Sequence, residues 1–351
     1  MIPLTLIFDG HNDVLTRILN SGGVDAAKAF LTGGKGHIDV PKARAGGFGG
    51  GFFAIWIPTE NTLDDDFEAM KAEKYDIGLP QPVGVKNAVQ IAMEEAAILV
   101  RLEEMGALKI CLAAADIAAC LESGTMAAIM HMEGAEAIDA ELHALEVFYR
   151  AGLRSLGPVW SRPTIFGAGV PFRFPGSPDT GPGLTEHGAK LVRRCNALRI
   201  MIDLSHITEK GFWDVARLSD APLVATHSNA HALCPHVRNL TDKQLAAIAE
   251  SDGMVGVNFA ASFLREDGRM LSDVPLEQML RHFDHLIGHL GEDRVGFGSD
   301  FDGAVVPRAI KDASGLPNLI EAMRGHGYDD ALLAKLCHGN WLRVLEKTWG
   351  G

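Results

Sequence analysis

Short apolar runs alternate with longer amphipathic stretches along almost the whole chain. Eight of the runs read as strands: Leu4–Phe8, Phe52–Ile57, Ala127–Glu133, Leu153–Val159, Ile200–Leu204, Pro222–Thr226, Met254–Phe259 and Val295–Ser299. They are short and mostly apolar, as the strands of a buried sheet are. Helical patterns separate them at Lys86–Met105, Ala137–Ala151, Leu184–Leu198 and Leu276–Leu290. Thr241 and Gln244 give a capping-box signature for a helix between the sixth and seventh strands. A short extra strand is expected at Leu108–Leu112. Alternation of this kind predicts an α/β fold, a (β/α)8 TIM barrel of parallel strands, with a doubly wound sheet as the alternative. No linker or shift in composition divides residues 1–351, so one domain is expected. Two connections exceed ordinary turns, Pro58–Gly84 and the proline-rich Pro158–Gly183. Both follow strands, and loops there would overhang the C-terminal face of a barrel as substrate walls or lids.

Composition narrows the partners. The chain has 351 residues, 47% hydrophobic and 22% charged, in the normal range for a globular protein. Its formal net charge of −13 argues against nucleic acid and against an anionic membrane. Five scattered cysteines with no CxxC read as reduced thiols. Neither a signal sequence nor a membrane-spanning run is apparent, so a cytoplasmic location is expected. A homo-oligomer is left open.

In a barrel enzyme the reacting groups sit at the C-terminal ends of different strands. The first strand leads into Asp9-Gly10-His11-Asn12-Asp13, where His11 and Asp13 share a face. The third ends at Glu133, the fifth leads to His206, the sixth to His227, and the eighth to Asp300. Any one of these has an ordinary explanation as a turn or core polar residue. Together, His11, Asp13, Glu133, His206 and His227 make five ligands. That number suits two metal ions sharing a bridging carboxylate and a bridging hydroxide, with Asp300 beside them as an acid/base. His131 shares the face of Glu133 and reads equally well as a support for it or as a hydrogen-bonded core histidine.

The ordered set of motifs resembles the membrane (renal) dipeptidase family of the amidohydrolase superfamily over essentially the whole chain. Its carriers are Asp9-Gly10-His11-Asn12-Asp13, Glu133-Gly134, Asp203-Leu204-Ser205-His206, Thr226-His227-Ser228, Arg238-Asn239, Gly298-Ser299-Asp300-Phe301-Asp302-Gly303 and Gly339-Asn340-Trp341-Leu342-Arg343-Val344. The resemblance implies two Zn2+ ions, one held by His11 and Asp13, the other by His206 and His227, with Glu133 between them. It implies Asp300 as the catalytic aspartate and Arg238 as the grip on the C-terminal carboxylate of a dipeptide, often one ending in a D-residue. Two positions depart from the family pattern. Trp160 stands where a histidine usually contacts the scissile carbonyl oxygen, which makes Arg162 and the proline-rich loop candidates to replace that contact. Ala260 stands near a usual tyrosine. The alternatives are another amidohydrolase activity, on N-acyl amino acids or lactones, and a catalytically silent metal-binding barrel.

Overall fold

The computed structural model describes residues 5–59 and 63–350, without the side chains of Leu63 and Asp64. Eight parallel strands make the core of the fold: β1 (Ile7–Asn12), β2 (Phe48–Trp56), β3 (Ala127–Glu133), β4 (Leu153–Gly157), β5 (Met201–Ile202), β6 (Val224–Ala225), β7 (Met254–Asn258) and β8 (Val295–Gly298). Neighbours in space are neighbours in sequence, and β8 pairs with β1. A parallel bridge between Asp203 and Val224 links β5 to β6 and closes the ring. That closure makes the sheet a (β/α)8 barrel and removes the doubly wound alternative. The short strand Lys109–Ile110 pairs with the outer part of β3.

Two layers of apolar packing follow from closure. Inside the ring, Phe8, Phe52, Ile129, Met201, Val224 and Met254 meet Trp341 from the C-terminal helix Asn340–Trp349. The Trp341 indole N–H donates to the Phe297 carbonyl at 3.0 Å, so the plug satisfies its own polar atom. Outside the ring, a larger cluster lies between the strands and the surrounding helices.

Many strand ends differ from the sequence expectation by one or two residues, and the two larger shifts, in β1 and β2, each have a local reason. β1 begins at Ile7 and runs to Asn12, and Leu4 lies outside the described residues. Its polar residues are tolerated because neighbours satisfy them. Asp9 accepts from the Ser299 N–H at 2.6 Å and the Ser299 hydroxyl at 2.7 Å, and Asn12 donates to the Phe52 carbonyl at 2.9 Å. β2 begins at Phe48, in a glycine run with no apolar signal. A Cβ at Gly50 would stand 2.1 Å from the Ala127 carbonyl oxygen, and one at Gly51 2.6 Å from that of Asp9. Only glycine lets β2 approach β1 and β3 so closely.

The helices largely follow the sequence pattern. The Leu276–Leu290 helix has the expected bounds, and Thr241 caps Asp242–Glu250. The helix expected from Ala137 instead begins at His143. The Asp139 carboxylate accepts from the N–H groups of Glu141 and Ala144, at 2.9 and 2.8 Å, and holds residues 139–142 in a turn.

The two long connections join each other. Tyr75–Ile77 of the first pairs antiparallel with Phe172–Phe174 of the second, and Arg173 reaches Asp76 at 2.9 Å. The Tyr75 hydroxyl donates to the Gly268 carbonyl at 2.6 Å and ties this small sheet to the connection after β7. Among the described residues no helix is long and apolar enough to cross a membrane.

Candidate metal centre

The strand ends converge as barrel geometry requires. His11 lies within β1, and Asp13 heads the Val14–Asn20 helix that follows. Glu133 is the last residue of β3. His206, His227 and Asp300 come just after β5, β6 and β8. His206 and Asp300 hold left-handed backbone, at φ 67° and 59°, a conformation costing about 1–3 kcal/mol that the fold imposes on each. Gly10 lets β1 reach across, since a Cβ there would lie 2.3 Å from the Thr226 carbonyl oxygen.

Glu133 sits at the centre of the group. Its Oε1 is 3.0 Å from His206 Nε2 and 3.3 Å from His227 Nε2, and its Oε2 is 3.5 Å from His11 Nε2. His11 Nε2 is also 3.4 Å from Asp13 Oδ2. The two facing nitrogens, His206 Nε2 and His227 Nε2, are 3.1 Å apart. His11, Glu133 and His227 each bring a ligand atom within 4.8 Å of the others, and so do His11, Asp13 and Asp300.

Electrostatics shows what this cluster lacks. Burial lowers His206 and His227 well below the ordinary imidazole range, and neighbouring cationic groups, Arg238 among them, push the same way. Both rings are neutral and each carries one proton. Their outward nitrogens face hydroxyl groups. His206 Nδ1 is 2.8 Å from the Ser161 hydroxyl, and His227 Nδ1 is 2.8 Å from the Thr226 hydroxyl. Thr226 in turn donates to Asp203 Oδ2 at 2.6 Å, while Asp203 Oδ1 accepts from the N–H groups of Thr226 and Ser205. Because Thr226 spends its proton on Asp203, its oxygen accepts from His227 Nδ1–H, and His227 Nε2 presents a lone pair to His206 Nε2 and to the Glu133 carboxylate. Neither ring nitrogen of the buried His11 has a hydrogen-bond partner. Burial alone would lower His11, but Glu133 and Asp13 raise it well above its ordinary value. Burial also pushes Glu133 up to about 7. Nitrogen and oxygen lone pairs aimed at one buried point fit divalent cations such as zinc.

Asp300 is held beside this group by the Asn258 side-chain amide, which donates to its Oδ2 at 2.9 Å. Burial and Asp13 raise its carboxyl above the usual range. His131 proves to be a core residue. Its Nδ1 is 2.9 Å from the Ser155 hydroxyl, burial lowers it to about 3, and its ring packs edge-on against His11.

A cavity of 620 Å³ opens over the cluster, with Asp13, Glu133, His206 and Asp300 in its lining. Trp56, Trp160, Phe172 and Phe263 form much of its wall. Trp160 packs 5.7 Å from the His206 ring and 5.1 Å from Trp56. Ala260 lines the cavity and leaves room where a larger side chain would intrude. Arg162 departs from expectation. Its Nε donates to Glu136 Oε1 at 2.9 Å and its Nη2 to the Ile57 carbonyl at 2.7 Å, which draws it out of the main cavity into the wall of an adjoining one. Arg238 is buried against Phe263, donates to the His227 carbonyl at 3.1 Å, and has no salt-bridge partner among the described residues. Burial lowers it only to about 10, so it stays cationic at neutral pH.

Sequence reasoning passed over Asn258, Ser161 and the Thr226–Asp203 link. Asn258 is the last residue of β7, and the strand-end rule applied to that strand would have found it. Ser161 carried no signal, because only the folded loop brings it to His206.

The model of the membrane dipeptidase family, peptidase family M19, matches residues 3–349. A metallo peptidase from Rhodobacter sphaeroides, solved with a phosphinate mimic of the dipeptide L-Ala-D-Ala, is 56% identical. It superposes with a TM-score of 0.97, covering 99% of this chain and 100% of that one. An uncharacterized protein in the pqqA 5′ region of Klebsiella pneumoniae is 53% identical over 265 residues, 75% of this chain and 98% of its own length. The probable dipeptidase PvdM from Pseudomonas aeruginosa shares the fold at 24% identity, with a TM-score of 0.82 over 98% of this chain and 96% of that one.

The link from His227 through Thr226 to Asp203 generates a prediction. Thr226→Val keeps the shape but removes the hydroxyl that orients His227. Metal affinity measured by chelator competition should fall about 10–100-fold. Unchanged affinity would remove this link from the centre.

Proposed function

The chain belongs to the membrane dipeptidase family, peptidase family M19, a family of metal-dependent dipeptidases, and from that premise we propose how its residues act. His11 and Asp13 would hold one zinc ion and His206 and His227 a second, with Glu133 placed between the two sets to serve both. The observation that carries this reading is the convergence of Glu133 Oε1, His206 Nε2 and His227 Nε2, all buried and within 3.3 Å of one another. Bound zinc supplies Lewis-acid polarisation of the scissile carbonyl and makes water acidic enough to attack at neutral pH.

The protein's own groups do the rest. Asp300, its Oδ2 fixed by Asn258, takes a proton from the attacking water and returns it to the leaving amine nitrogen. Its raised affinity for protons suits it to both halves of that transfer. Arg238 anchors the substrate's C-terminal carboxylate. A buried guanidinium without an anionic partner is costly, and a carboxylate supplied by the substrate removes that cost. Trp160, with Trp56 and Phe172, forms an apolar wall that positions the peptide and limits water around it. Arg162 acts on that wall from behind, its guanidinium carbon 5.6 Å from the Trp160 ring. The substrate is a dipeptide with a free C-terminal carboxylate, the L,D class included. Support for that class comes from the Rhodobacter sphaeroides relative, which was solved with a mimic of L-Ala-D-Ala.

Two measurements test this. A panel of L,L- and L,D-dipeptides set against N-acyl amino acids should show turnover of dipeptides. Turnover confined to N-acyl amino acids would replace this reading with deacylation. Asp300→Asn should keep the metal content and lower kcat by about 10²–10⁴; an unchanged kcat would take Asp300 out of the chemistry.

A further inference from the structure

A second group of metal-ligating side chains lies on the outside of the barrel. His285 and His289 stand one turn apart on the Leu276–Leu290 helix, so both imidazoles project from one face. Two histidines at this spacing on one helical face are a recurrent zinc-binding arrangement. Asp242, the first residue of the neighbouring Asp242–Glu250 helix, meets them. Its Oδ1 is 2.8 Å from His285 Nε2 and 3.8 Å from His289 Nε2. The rings are 4.5 Å apart, centroid to centroid, and inclined by 32°. One ligand atom from each residue lies within 4.8 Å of the other two. None of the three lines the 620 Å³ cavity.

We propose that Asp242, His285 and His289 form a separate surface site for a divalent transition metal, zinc in the first instance. A hydrogen bond between His285 and Asp242 accounts for that pair alone. It leaves unexplained why a second imidazole nitrogen converges on the same carboxylate oxygen from beyond hydrogen-bonding distance. Two imidazoles and one carboxylate make a donor set suited to zinc, and the exposed side of the group lets water complete the coordination. An ion there ties together the helices that follow β6 and β7. The same Leu276–Leu290 helix carries the buried His282, whose Nδ1 accepts from the Ala230 N–H at 3.2 Å. It thus braces the start of the segment that leads to Arg238. The bound ion should therefore stabilise the fold and leave the chemistry at the barrel mouth unchanged.

The test is a calorimetric zinc titration of the tag-free metal-loaded enzyme, alongside His289→Ala and Asp242→Asn. Because each variant is compared with the parent enzyme, the difference reads this site whatever the number of ions at the barrel mouth. The parent should take up one zinc equivalent more than His289→Ala, and Asp242→Asn should bind that equivalent at least tenfold more weakly. Added zinc should raise the thermal midpoint of the parent more than that of either variant, with equal dipeptide turnover in all three. Equal zinc uptake and affinity in the parent and both variants would overturn the proposal.

Discussion

The constraint on which the rest depends is electrostatic. One carboxylate oxygen of Glu133 and two neutral imidazole nitrogens face one another within 3.3 Å in a buried site. In a low-dielectric interior such a set is repulsive unless a cation lies among the atoms. The barrel holds it in place from three separate strand ends, each fixed by backbone pairing to its neighbours. The outward nitrogens are committed to Ser161 and Thr226, so the rings cannot relax by turning over without breaking those bonds. The fold thus holds in advance a cluster of donor atoms that fits a metal ion.

The same logic extends to the substrate side. Arg238 is a buried cation without an anionic partner among the described residues, packed against an aromatic ring rather than a carboxylate. Arg162, by contrast, is neutralised by Glu136 and belongs to the scaffold behind Trp160. Of the two buried guanidinium groups among the described residues, only Arg238 lacks a fixed counter-charge, and that difference supports the anchoring role proposed for it. The aromatic wall and the small sheet formed by the two long connections bound the space above the cluster.

Much of this was legible in the sequence because barrels couple strand ends to sites. The apolar runs located all eight strands, and the polar residues after them located the converging groups. Legibility failed where the signal was not apolar periodicity. β2 opens with Phe48 and three glycines, which allow close approach rather than burial of side chains. The start of the His143–Ala151 helix was displaced by the Asp139 turn, whose capping bonds override the helical propensity of the residues before it. Arg162 was misplaced because nothing local announces Glu136 as its partner. Ser161 and the pairing of the two long connections arise only from tertiary contact.

The central claim is that the strand-end residues form a two-ion centre, and its most direct measurement is metal content. Elemental analysis of the His289→Ala variant, purified with zinc and freed of loosely held metal, isolates the barrel mouth. The account predicts close to two zinc ions per chain there. One ion or none would contradict it.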